Sequence, residues 1–134
     1  MGAEKQIPIA SDRDVVTARQ HGRAEALEAG FSSSEATLIA TAISELARNI
    51  VSYASQGSIT LRALNGVNGT RGLTIIATDS GPGIADIAQA LRDGYSSSGG
   101  LGLGLPGVRR LVDEFDIASQ SGAGTTVTVT KWRH

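Results

Sequence analysis

At 134 residues the chain has the length of one ordinary domain, enough to bury roughly two-thirds of the surface its unfolded form exposes. Hydrophobic residues make up 40% and charged ones 19%, the balance expected of a soluble globular domain, and no apolar run approaches the ~20 residues that span a bilayer. The 12 Lys and Arg against 13 Asp and Glu leave a formal charge of -1, so no net field draws in nucleic acid; without cysteine there are no disulfides, thiol redox chemistry or zinc-thiolate sites, which fits a cytoplasmic location.

The opening "MGAEKQIPIAS" has no apolar stretch of the kind a secretory leader carries, and Gln6 stands where the myristoylation pattern requires Ser or Thr. "KQIPIA" reads as a short edge strand, where its proline is tolerated. Ser11 and Asp12 offer N-caps to a helix running to about Ala29, with Gly30 as its stop. In "FSSSEATL", Ser32 and Glu35 have the spacing of a capping box, which predicts a second helix over about 34–54. "SITLRAL" and "LTIIATD" read as strands joined by the turn-rich "NGVNGTRG", an antiparallel hairpin. A helix over about 84–93 follows, then a glycine-rich stretch, then a helix from Pro106 to about Glu114. "FDIASQ" and "TTVTVTKW" close the order as strands, the second with one buried face and a wet face of Thr126, Thr128 and Thr130. No linker or repeat divides the sequence, so a single domain over residues 1–134 is expected. Interspersed helices and strands predict a two-layer α/β (α+β) sandwich: a mixed, mainly antiparallel sheet covered by helices on one face.

Four stretches carry chemistry. On the second helix Ile39, Ile43, Leu46 and Ile50 form one apolar stripe, and Glu45 and Asn49 stack about 40° apart on its flank, at the edge of the core. Alone, such a pair is the polar boundary of an amphipathic helix; Arg48, nearly opposite the stripe, reads as solvated. In "TIIATDSGPGI", Asp79 shares strand parity with Ile75 and Ala77, which points its carboxylate at the helix-covered face. A buried acid needs a hydrogen-bonding partner, and a purine amino group is one; Asp79 capping its own Gly-Pro turn is another. Gly81 and Gly83 let the backbone approach a flat ligand. "GGLGLGLPG" brings backbone N–H groups and a helix N-terminus toward one spot, an arrangement suited to phosphate. Gly102, Gly104 and Gly107 match the dinucleotide fingerprint, but no strand precedes them, and no GK[ST] of a P-loop follows. In "SGAGTTVTVT", Thr125 has the parity of Val127 and Val129, so its hydroxyl projects inward beside Asp79.

The succession Glu-x-x-x-Asn, Asp-x-Gly-x-Gly, glycine-rich lid and Gly-Thr before a strand resembles the gyrase, Hsp90, histidine kinase and MutL superfamily of ATPases, with its Bergerat ATP-binding fold. Within it the chain is similar to the short bacterial serine/threonine kinases of the anti-sigma-factor type, and most of all to the switch kinases of the stressosome. "DVVTARQHGRAEA", "TAISELARNI", "DSGPGI", "DGYSSSGGLGLGLPGVRRLVDEF" and the terminal "KW" carry that likeness over nearly the whole chain. The resemblance implies ATP and Mg²⁺, with Asn49 holding the metal and Glu45 as the base toward the attacking Ser or Thr hydroxyl. It implies that Asp79 accepts from the adenine amino group with Thr125 in support, and that Gly100, Gly102 and Gly104 close over the phosphates. No Arg or Lys is assigned to the γ-phosphate.

A histidine kinase core needs a phosphoacceptor His on a dimerising hairpin, and neither His21 nor His134 is placed for it. A gyrase- or Hsp90-like machine needs a second domain. The resemblance therefore implies a kinase acting on STAS-domain proteins of the RsbS and RsbR kind, whose release activates a PP2C-type phosphatase of the RsbU kind by partner switching in the general stress response. It leaves a homodimer open, and Arg19 and Arg23, one turn apart on the first helix, are candidate docking residues. The alternative is a non-catalytic, ATP-dependent anti-sigma factor or adaptor.

Overall fold

The capping box forms as the spacing predicts. In a computed structural model describing residues 4–54, 56–81, 104–119, 122 and 124–133, the Glu35 N–H donates to Ser32 Oγ at 3.1 Å and the Ser32 N–H donates to Glu35 Oε1 at 3.2 Å. These bonds start helix α2 (Ser33–Tyr53). The preceding helix α1 (Asp12–Glu28) starts differently. Ser11 takes the N-cap conformation but its side chain caps no backbone N–H; instead Asp14 Oδ2 accepts the Ala10 N–H at 2.8 Å and the Ser11 hydroxyl at 3.4 Å, which ties the entering chain to the first turn without a capping box. Gly30 ends α1 in the left-handed region (φ 96), and the Phe31 N–H reaches back to the Ala26 carbonyl at 3.0 Å.

The strands β1 (Glu4–Ile9), β2 (Gly57–Asn65), β3 (Arg71–Asp79), β4 (Glu114–Ser119) and β5 (Thr125–Trp132) form one sheet in the order β1-β2-β3-β5-β4. Each pairing is antiparallel. Pro8 falls on the edge strand, where a missing N–H is harmless. One face of the sheet, with Ile59, Leu61, Leu73, Ile75, Val127 and Val129, forms a continuous core with Ile39, Ile43, Leu46 and Ile50 of α2. Burying each such side chain contributes ~1.5–3 kcal/mol, so truncating Ile43 or Ile75 to Ala costs roughly 2–5 kcal/mol. Helix α1 packs closely on α2, where a Cβ on Gly22 would run into the Ile43 side chain.

The opposite sheet face is polar, with Arg62 and Glu4 paired at 2.6 Å. It is drier than the alternating threonines predict: Thr130 is buried and shares a 3.0 Å hydrogen bond with Thr74 across the strand pair. The third described helix, α3 (Gly104–Leu111), begins before Pro106 and ends before Glu114, which belongs to β4. Pro106 remains within the first turn, where its missing N–H costs nothing. The helix expected over about 84–93 lies outside the described residues. No described helix is long and apolar enough to cross a membrane.

Candidate functional site

Helix α3 packs against the flank of α2 that carries Glu45. This changes the expected environment: Glu45 is not at the edge of the core but fully buried, at 0% exposure. A carboxylate there is costly unless it is paired. Arg48 supplies the charge, with Nη1 3.6 Å from Oε1, and the Gly104 N–H, at the positive end of α3, donates to Oε2 at 3.4 Å. Arg48 is thus a partner of Glu45 rather than simply a solvated residue.

One turn along α2, Asn49 is half-buried, and its Oδ1 finds no hydrogen-bond partner among the described residues. An unpaired buried oxygen costs ~1–3 kcal/mol. A neutral, hard amide oxygen left open in this way fits Mg²⁺, which takes few protein ligands and fills its shell with water and substrate phosphate.

The second cluster lies where the sheet meets the end of α2. Register aligns Gly57, Asp79, Thr125 and Ser119 across β2, β3, β5 and β4 in one row. Asp79 is half-buried and its Oδ1 accepts the Gly81 N–H at 2.9 Å, so it does cap its own turn; Oδ2 has no partner among the described residues. The Thr125 hydroxyl does not reach Asp79 but pairs with Ser119 Oγ at 2.7 Å. Two glycines let main chain pack closely around this turn. A Cβ on Gly81 would lie 2.5 Å from Ala54 Cβ, and one on Gly124, whose φ is +86, would strike the Asp79 carbonyl.

Glu45 and Asn49 thus lie one turn apart on α2, with the Gly104 end of α3 against Glu45, and Asp79, Gly81 and Thr125 lie along the neighbouring sheet end. Gly83, Gly100 and Gly102 lie outside the described residues. Residues 9–131 match the histidine kinase-like ATPase domain. The chain belongs to that family.

Among its relatives in the family, the serine/threonine-protein kinase RsbT of Bacillus subtilis is 49% identical over 132 residues, 98% of each chain. An anti-sigma F factor from Thermoanaerobacter is 31% identical over 70% of this chain and 68% of its own. The same fold occurs in one third of a Mycobacterium tuberculosis structure that comprises RsbU and RsbW domains, at a TM-score of 0.64 and 23% identity, covering 100% of this chain and 33% of that one. As a histidine kinase-like ATPase domain the chain uses ATP.

Two polar residues of the site are absent from the motif-based set. Arg48 was accessible in principle, because i and i+3 residues on a helix are neighbours. Ser119 emerges only from the register of β4 on β5.

Proposed function

We propose that this chain is a cytoplasmic serine/threonine protein kinase that transfers the γ-phosphate of ATP to a Ser or Thr hydroxyl of a STAS-domain stressosome protein. On release from that partner it binds and activates a PP2C-type phosphatase. Family membership supports ATP use, and 49% identity to a serine/threonine-protein kinase supports the transfer.

The observation that carries the chemistry is the pairing on α2 of a fully buried carboxylate with an open amide oxygen one turn away. Phosphoryl transfer needs chiefly positioning and charge neutralisation. Glu45 Oε1 and Oε2, fixed by Arg48 and Gly104, would orient the attacking hydroxyl and take its proton as the new O–P bond forms and ADP leaves. Asn49 Oδ1 would hold Mg²⁺, which when bound supplies charge neutralisation for the phosphates. Asp79 would accept from the adenine amino group, with Gly81 and Gly83 letting the backbone approach the flat base, and the Gly104 end of α3, with Gly100 and Gly102, would line the phosphates. Arg19 and Arg23 are both exposed on α1, Arg23 bonded to Ser33 Oγ at 3.1 Å, and are proposed to dock the protein partner.

Incubation with labelled ATP, Mg²⁺ and a STAS-domain protein should label the partner on Ser or Thr. The similarity to an anti-sigma F factor favours one other reading, an ATP-dependent module that sequesters a sigma factor. Tight sigma-factor binding with no label transferred to any STAS protein would establish that alternative and exclude the kinase.

A further inference from the structure

We infer that Trp132 is a positioning residue for phosphate transfer, clamping α3 so that its Gly104 N–H stays on Glu45; the inference rests on the assignment of Glu45 as the base. Only Val112 and Asp113 separate the end of α3 at Leu111 from the start of β4 at Glu114. Both acids at this junction are gripped by one residue. The Trp132 backbone N–H donates to Asp113 Oδ2 at 2.7 Å and its indole Nε1–H donates to Glu114 Oε2 at 2.6 Å, while the Asp113 N–H donates to the Thr130 carbonyl at 2.9 Å. The indole also has a fixed seat. A Cβ on Gly72, its cross-strand partner, would lie 2.6 Å from the ring and one on Gly66 would lie 2.9 Å from it, so these bare backbones make the room it fills.

What the clamp controls lies at the other end of the helix. The 8 residues of α3 make a rod of ~12 Å, seated in the core through Leu105 and Val108. Apolar packing is non-directional, so it fixes the depth of the rod better than its slide and rotation; the directional bonds at the junction supply those. The Gly104 N–H meets Glu45 Oε2 at 3.4 Å, longer than the usual ~2.7–3.2 Å. A slide of a few tenths of an ångström breaks so long a bond and loosens the carboxylate that must meet the attacking hydroxyl. Trp132 therefore acts on the chemistry through α3, without touching substrate or nucleotide.

Trp132→Phe keeps a ring in the seat and removes the indole N–H, Glu114→Ala removes its acceptor, and Glu114→Gln keeps an acceptor oxygen. Transfer to a STAS-domain protein at saturating ATP should fall about three- to tenfold in each of the first two, no further when they are combined, and by less than about twofold in the third, with KM for ATP held throughout. The Gly104 amide signal in a nitrogen–proton correlation spectrum should shift in Trp132→Phe and Glu114→Ala, as in Glu45→Gln, and stay fixed in Ser32→Ala at the far start of α2. Should Trp132→Phe fail to fold, the two Glu114 variants carry the comparison. An unmoved Gly104 signal, unchanged transfer, or losses that multiply in the double variant overturn the clamp and leave Glu45 its role. A wild type that labels no STAS-domain protein overturns the proposed function instead, and the Gly104 signal then decides whether Trp132 sets the helix.

Discussion

The two acids of the site are held by opposite means. Glu45, on α2, is completely buried and stabilised by charge: a guanidinium on one oxygen and the N-terminal N–H of a packed helix on the other. Asp79, at the end of β3, is half-buried and fixed by the backbone of its own turn. The difference matches the separate tasks proposed for the two carboxylates. The first, held on both oxygens, suits proton transfer; the second, a fixed acceptor at a sheet end, suits recognition of a flat base.

The largest effect that separates them should come from Glu45→Ala: phosphate transfer to a STAS partner falls by about 10²–10⁴-fold while calorimetric ATP affinity changes little. Unchanged transfer would remove Glu45 from its role. Asp79→Asn should do the reverse, weakening ATP by about ten- to a hundredfold with a much smaller change in the rate at saturating nucleotide. If the affinity holds, the adenine lies elsewhere. Arg48→Ala leaves a buried carboxylate without its counter-charge and should cost about 1–3 kcal/mol by denaturant titration, a loss that Glu45→Gln in the same chain largely restores. Additive losses in that pair would mean the two side chains are not coupled. The smallest change is a control on the scaffold: Ser32→Ala should cost about 1 kcal/mol by the same titration and alter neither transfer nor ATP affinity.

Helix α2 was legible because local signals agreed: a capping box at Ser32 and Glu35 and an apolar stripe of Ile39, Ile43, Leu46 and Ile50. The strand β5 was legible from its alternation of Thr and Val. The bounds of α3 were not, because tertiary contacts set them. Glu114 is drawn into the sheet opposite Thr130, its carboxylate accepting from Trp132 Nε1 at 2.6 Å, so the helix stops early. The burial of Glu45 was hidden for a related reason: periodicity fixes a residue's angle on its own helix and says nothing about a neighbour that arrives from later in the chain. The motif reading named Glu45, Asn49, Asp79 and Thr125 as residue types, and the structure adds partners for Glu45, Asp79 and Thr125 and an open oxygen on Asn49. The Ser119–Thr125 contact depends on a register that sequence periodicity leaves open.

The glycines that crowd Asp79 have an evolutionary consequence. Where Gly81 packs on Ala54 and Gly124 on the Asp79 main chain, there is no side chain for mutation to adjust in small steps. Substitution there can break the pocket but hardly retrain it. New preferences among relatives of this chain should therefore arise on the helix side and in the hydroxyls of β4 and β5, where each group can be exchanged singly, while the bare wall persists unchanged.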